Sequence, residues 1–434
     1  MGEATPEELD SWIDALTRST GPGDDAARVR MLTQLERLTS AADGFKAVVT
    51  AAFSRSQRQT CRLPEKAERV ERSIAVQVGM ARRESPHRGA RRVGLAMVLT
   101  TEMPHTLAAL RTGRIDEWRA TVIVRETATV SREDRGKIDA RIGAEIDRLE
   151  TVSVRCLEKE VRARAYEADR EVFVRAREQA VKDRRVSLRP LPGGMVRLSA
   201  TVPLVEGVAA YATLVRAAAT AAASGDKRSR GAVMVDTLLD RVIHGVVPAG
   251  PGARCVNVPA AKAPVVPIAV NLVVSDATLL AGGDEPAQCG EFGPIPADLA
   301  RELVLAADGE GLLTLRRVYA NPTGIVAMES RSRCFPPGVA RLIRTRDHTC
   351  RMPYCDAPVR HIDHITPVAD GGATTATHGQ GLCEGCNHAK QVVGWSTRVV
   401  DDRTGRHTVE TITPTGRVYR STAPPPPRCL ESTG

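Results

Sequence analysis

The stretch from Cys350 to Lys390 constrains the fold of this chain more than any other. It reads C-x4-C, then HIDH, then Gly-Gly, then C-x2-C-N-H-x-K. Four of the ten cysteines and four of the nine histidines fall inside it, which points to metal ligation. Two short loops that each offer two thiolates suit a tetrahedral zinc ion. Cys350, Cys355, Cys383 and Cys386 are therefore expected to hold a structural zinc. A small domain draws much of its folding energy from such a site. Four thiolates leave no open coordination position, so this zinc would staple rather than catalyse. A zinc ribbon with no chemistry of its own would satisfy the four cysteines equally well.

At 434 residues the chain exceeds one ordinary domain, so two or three are expected. Aromatic content of 3% requires cores built from Ala, Val and Leu. A formal charge of +9 and a pI near 9.2 favour a polyanionic partner. No stretch reads as long and apolar enough to span a membrane. The N-terminal MGEATPEELDSW is acidic, without the apolar run of a signal peptide. The expectation is a cytoplasmic protein with no membrane partner. Thiols stay reduced there, so paired cysteine spacings read as metal ligands rather than disulfides.

The patterning predicts an α+β protein in four segments: a mainly helical domain over 1–247, a linker and mixed segment over 248–337, a metal-stapled domain over 338–420, and a disordered Pro-rich tail over 421–434. In Ala26 to Phe53 a helical stripe of Val29, Leu32, Leu35, Leu38, Ala42, Phe45, Val48 and Val49 is expected to face a core. Arg135 to Val174 interleaves Arg with Glu, which predicts helix faces laced with ion pairs. Met195 to Thr201 alternates as a strand does, and Gly207–Ala223 and Val233–Val247 read as helices. Pro248–Pro264 reads as a linker, 263–276 as a strand, and Leu303–Leu315 as further strand. Strands with turns are expected after Trp395.

Between the cysteine pairs lie His361, Asp363 and His364, and directly after the second pair come Asn387 and His388. Cutting a phosphodiester requires a base for the water, a divalent cation for the developing charge, and tight positioning. Asp363 and Asn387 can offer hard oxygens to Mg²⁺ or Mn²⁺, and His364 can take a proton near neutral pH. Any one of these residues alone is more often a turn or surface group. Their combination around a zinc staple is far more specific.

This combination resembles the HNH endonuclease motif of the zinc-stapled ββα-metal (His-Me finger) type, over roughly Arg341 to Trp395. The resemblance implies a metal-dependent DNA endonuclease that leaves a 5′ phosphate and a 3′ hydroxyl. Asp363 would bind metal, His364 would be the base, and Asn387 would be the second ligand. The family's middle Asn falls at His378, which would then orient His364. Because of that departure the alternative is a zinc-stabilised DNA-binding protein with a degenerate site. Upstream, LAALRTGRIDEWRATVIVRET is similar to the helical domain of unknown function 222. The whole chain resembles the 13E12 repeat family, proteins often tied to mobile elements.

Arg344, Arg346, Arg351 and Lys390 fit phosphate contacts, or simply solubilise a small domain. His388 is an alternative metal ligand to Asn387. The cluster Arg82, Arg83, Arg88, Arg91 and Arg92 reads either as a second DNA contact or as a solvated face.

Overall fold

The computed structural model describes residues 5–60, 67–244, 271–309 and 334–425, with the backbone of 320–321, 324–325 and 329–330. The chain opens on helices α1 (Pro6–Arg18), α2 (Asp25–Thr60), α3 (Ala67–Ala81), α4 (Pro86–Thr101), α5 (Pro104–Arg111), α6 (Glu117–Glu126), α7 (Arg132–Ala144), α8 (Ile146–Leu149), α9 (Val154–Ala168) and α10 (Arg170–Lys182). A hairpin of β1 (Arg185–Leu191) and β2 (Met195–Thr201) leads to α11 (Leu204–Ala223) and α12 (Arg230–His244). A small unit follows, made of β3 (Leu272–Val273), α13 (Asp276–Leu280), β4 (Ala287–Cys289), β5 (Pro294–Ile295) and α14 (Ala297–Gly309). After the short strands β6 (Ala320–Asn321), β7 (Gly324–Ile325) and β8 (Glu329–Ser330) comes the C-terminal module. It consists of α15 (Pro337–Asp347), β9 (His361–His364), β10 (Thr374–Thr375), β11 (Gly379–Leu382), α16 (Glu384–Lys390) and a meander of β12 (Ser396–Val400), β13 (Thr408–Ile412) and β14 (Val418–Thr422). The class is α+β, as the patterning predicts.

The helical body closes around Leu99, Met103, Leu110, Ile123, Ile142 and Leu157, all fully buried. Ser85, Asp116, Ser131 and Ser153 cap α4, α6, α7 and α9 by accepting from backbone N–H groups of the first turn. The start of α5 has no such cap of its own. Buried Asp139 of α7 fills that role, accepting from His105 N at 2.7 Å, Thr106 N at 2.9 Å and the Thr106 hydroxyl at 2.5 Å. The ion pairs expected on the Arg/Glu-rich stretch are present, including Arg148–Glu160 at 2.6 Å and Arg162–Glu126 at 2.7 Å, but four helices share it.

Several expectations need correction. The large apolar stripe at the start of α2 faces outward: Val29, Leu32, Leu35 and Leu38 are exposed. The buried face is instead Ser40, Gly44, Ala47, Ala51 and Ser54. Small residues at three- and four-residue spacing let α4 and α5 approach closely, and a Cβ at Gly44 would come within 2.7 Å of Arg111 Cγ. Among the described residues of 1–247, the main core runs from Ala47 to Ala165. Beyond it β1 and β2 are exposed along their length, and Ala218 is the buried residue of α11. That α11 is long and apolar enough to cross a membrane, contrary to the reading of the sequence. Only 6% of its apolar window is buried among the described residues. Residues 303–309 continue α14 rather than forming a strand, and residues 310–315 lie outside the described residues. Ser421 and Thr422 complete β14 and Ala423 is buried, so order runs past 420. Pro248–Pro264, residues 263–270 of the expected strand, and residues 426–434 lie outside the described residues.

Candidate active site

The four cysteine Sγ atoms lie within 4.8 Å of one another, with Cys355 and Cys383 3.9 Å apart. Sulfurs bound tetrahedrally at 2.3 Å would sit about 3.8 Å apart, so the four residues could hold a zinc ion. Cys350 and Cys386 are buried, and Cys383 doubles as the N-cap of α16, accepting from Cys386 N. Hydrogen bonds from Cys350, Cys355 and Cys386 pull the Cys383 thiol well down, while the same contacts push Cys350 and Cys386 up. A bound dication would let all four ionise.

The strands β9 and β11 pair antiparallel, with His364 opposite Gly379 and His361 opposite Leu382, and α16 packs on β9. Side chains alternate along a strand. His361 and Asp363 accordingly face α16, where Asn387 Nδ2 donates to His361 Nδ1 at 2.9 Å and Lys390 Nζ binds Asp363 Oδ2. Lys390 also donates to the carbonyls of His364 and Ile365, which ties the strand's end to the helix. The carboxamide oxygen of Asn387 is buried without a hydrogen-bond partner among the described residues.

His364 faces the other way. Its ring stacks on Phe335 with centroids 4.3 Å apart, and its Nε2 meets Thr374 Oγ1 at 2.9 Å. Gly379 makes room for this stack, because a Cβ there would lie 2.8 Å from the Phe335 ring and 2.4 Å from Ile343 Cδ1. The Gly-Gly pair serves the connecting loop: a Cβ at Gly372 would lie 1.8 Å from Thr366 O. Burial lowers the His364 pKa below the ordinary imidazole value; Asp363 opposes that shift and Lys390 adds to it.

Three expectations meet a different geometry. His378 does not touch His364: its Nδ1 bonds Thr375 Oγ1 at 2.8 Å, and its carbonyl accepts from Ile365 N at 2.9 Å. Thr374 and Phe335 do the orienting expected of His378. Asp363 and Asn387 share a face but are engaged by different partners, Lys390 and His361. Of the four cations expected to meet phosphate, Arg344 is exposed, whereas Arg346 and Arg351 are buried and Lys390 nearly so. Arg346 pairs with Asp347 at 2.7 Å and donates to the carbonyls of Ala376 and Gly379. Arg351 donates to His407 O and Ser421 O, and burial brings its pKa down to about 10. These guanidiniums bind the fold's own carbonyls and cannot reach a ligand. In the helical body, Arg82 and Arg92 are tied to Glu117 and Glu84, which leaves Arg83, Arg88 and Arg91 exposed.

One wall of the module comes from far upstream. Helix α3 sets Val76 and Met80 against Cys350, Met352, Leu382, Cys386 and Ala389. Trp395 Nε1 donates to Ser73 Oγ at 2.8 Å, and Thr415 Oγ1 to Gln77 Oε1 at 3.1 Å. The opposite face, Ile74 and Val78, joins Val93 of α4. The sequence carried a signal for this: Ser73 to Met80 holds no charged residue, and the structure buries all of it, as suits a helix enclosed by two bodies.

A cysteine cluster that could hold a zinc ion, beneath a β-hairpin and helix that carry Asp, His and Asn, fits a ββα-metal module. The model described as HNH endonuclease matches residues 350–392. The model described as Domain of unknown function (DUF222) matches residues 25–347, and the chain belongs to that family. No curated protein and no solved structure matches the chain.

Proposed function

We propose that the chain is a metal-dependent DNA endonuclease that hydrolyses phosphodiester bonds at the end of β9. The observation that carries this reading is the paired environment there. A half-buried imidazole with a depressed pKa stands beside Asp363, and across the strand Asn387 Oδ1 is buried and unsatisfied. In the tautomer that carries its proton on Nε2 and donates it to Thr374 Oγ1, the Nδ1 lone pair of His364 is left to accept a proton from water. Phe335 holds the ring plane, and the low pKa keeps the base neutral at pH 7.

Asp363 and Asn387 offer a carboxylate and a carbonyl oxygen, a donor set suited to Mg²⁺ or Mn²⁺. When bound there, such a cation supplies neutralisation of the phosphate and leaving oxygen. Lys390 pairs with the Asp363 carboxylate and holds it aimed at α16. The zinc cluster fixes the start of α16 against β11, so Asn387 keeps its place relative to β9. Arg344 and the exposed Arg83, Arg88 and Arg91 are available to the DNA backbone. Since Thr374 and Phe335 orient the base, a histidine at position 378 does not remove a contact that His364 needs.

The test is cleavage of supercoiled plasmid by the full chain in Mg²⁺ or Mn²⁺, beside His364→Ala. Cutting by the wild type alone supports the reading. Retained cutting by the variant sinks the assignment of the base. Tight DNA binding without cutting by either protein favours the degenerate, DNA-binding alternative.

A further inference from the structure

Arg72 of α3 reaches across to the candidate site and contacts Nδ1 of His388. Glu68, one turn back, holds the same guanidinium at 2.7 Å and so aims it. The helix itself is fixed by the Trp395–Ser73 and Thr415–Gln77 hydrogen bonds and by Val76 and Met80. Arginine has donors and no acceptor, so His388 Nδ1 must receive this bond and a neutral ring carries its proton on Nε2. Asn387 Nδ2 fixes His361 in the same way, and the two imidazoles lie 6.3 Å apart.

This arrangement bears on metal choice. A metal on His388 Nδ1 would have to displace the guanidinium. A metal on Nε2 would move the ring proton to Nδ1, where it would face an N–H donor. Imidazole is the ligand that attracts Zn²⁺, Co²⁺ and Ni²⁺, whereas carboxylate and carbonyl oxygens suit Mg²⁺ and Mn²⁺. The carbonyl oxygen of Asn387, next in sequence to His388, is the orphaned acceptor of the pair.

We propose that Arg72 is a positioning residue, supplied by the helical domain, that sets the cation choice of the nuclease site by denying His388 to imidazole-seeking metals. The inference rests on the nuclease reading for the identity of the site. It gives the helical domain a defined part in that site, since one of its side chains decides which atom of α16 is a ligand.

The experiment is calorimetric titration of the full chain, already loaded with one zinc at the cysteines, with further Zn²⁺. Co²⁺ absorption reports the ligand type. Wild type is expected to take up no second equivalent at micromolar metal. Arg72→Ala is expected to gain one, bound at least ten-fold more tightly than any residual wild-type uptake, and Arg72→Ala/His388→Ala to lose it again. An unchanged Arg72→Ala variant overturns the proposal, as does an extra equivalent that survives in the double variant. If Arg72→Ala fails to fold, Arg72→Met keeps the aliphatic bulk without a donor and must show the same gain. The titration does not read cleavage. A chain that shows this pattern yet never cuts DNA would refute the nuclease reading and leave the role of Arg72 standing.

Discussion

Residues Ala47 to Ala165 pool Leu99, Leu110, Ile123, Ile142, Leu157 and their neighbours into one apolar core. Phe335 to Ala423 has nothing comparable. Its apolar clusters are small, one around Val339, Ile343 and Ala376, the other shared between the cysteines and two residues of α3. In their place it buries Asp347, Arg346 and Arg351, and gathers four thiols. The helical body spreads its stability over many interchangeable contacts. The nuclease module concentrates it in a few that have no substitute, since a buried charge or thiolate that loses its partner becomes a cost. Such a module is brittle to the loss of one group, and it gains fixed geometry at β9 and α16, which catalysis requires.

The widest gap between the two regions should open on metal removal. Chelation, or Cys386→Ser, should unfold β9, β11 and α16, with a loss on the order of 10 kcal/mol from the ligation alone. The helices around Leu110 should stay folded. Hydrogen exchange resolved by peptide checks this, and unchanged protection over β9 and β11 after chelation would break the comparison.

Next in size are two matched substitutions. Asp347→Ala leaves Arg346 and Arg351 without their carboxylate and strips an acceptor from Gly381 N. It should cost about 3–5 kcal/mol, confined to the module. Leu110→Ala should cost about 2–5 kcal/mol, confined to the helical body. Limited proteolysis of both variants in urea reads the location as well as the size. A protease-resistant module in Asp347→Ala would show that the buried ion pair is dispensable.

A smaller effect is expected at the base. Thr374→Val removes the hydroxyl on His364 Nε2 and should lower kcat by about five-fold, the worth of one hydrogen bond of about 1 kcal/mol, with zinc content unchanged. His378→Ala should change kcat less than Thr374→Val does. The reverse order would restore the orienting role to His378.

A separate effect is that of pH. Burial and the nearby Arg346 and Arg351 charges press the His407 pKa down to about 4. A histidine with a lowered folded pKa favours the fold fully above the unfolded value near 6.5. The unfolded chain binds the proton first, so stability declines as pH falls from 6.5 and levels off near 4. Urea midpoints of the module between pH 7.5 and 4 should follow that fall, and His407→Gln should flatten it.

Much of the site was legible because it is local. The spacing of Cys350, Cys355, Cys383 and Cys386 and the HIDH and CNH runs each lie within a hairpin or one helical turn. Near neighbours in sequence there are near neighbours in space. The roles of Arg346 and Arg351 were not legible, since exposed and buried arginines are spelled alike and only the carbonyls of Ala376, Gly379, His407 and Ser421 reveal the difference. The stripe at the start of α2 misled for a related reason. Periodicity shows that a helix has an apolar face, and not whether a neighbour covers it.

The sequence by itself determined the class of the fold, the strands after Trp395, the four-cysteine cluster and the candidate chemistry between the two cysteine pairs. These rest on patterns a few residues long that covalent geometry converts directly into structure. The tertiary structure alone decided that Thr374 and Phe335, not His378, hold the His364 ring, and that α3 forms a wall of the module. It also brought Arg72 onto His388. Those contacts join residues tens to hundreds of positions apart, and they exist because a small domain with too little core closes itself against a helix of its neighbour.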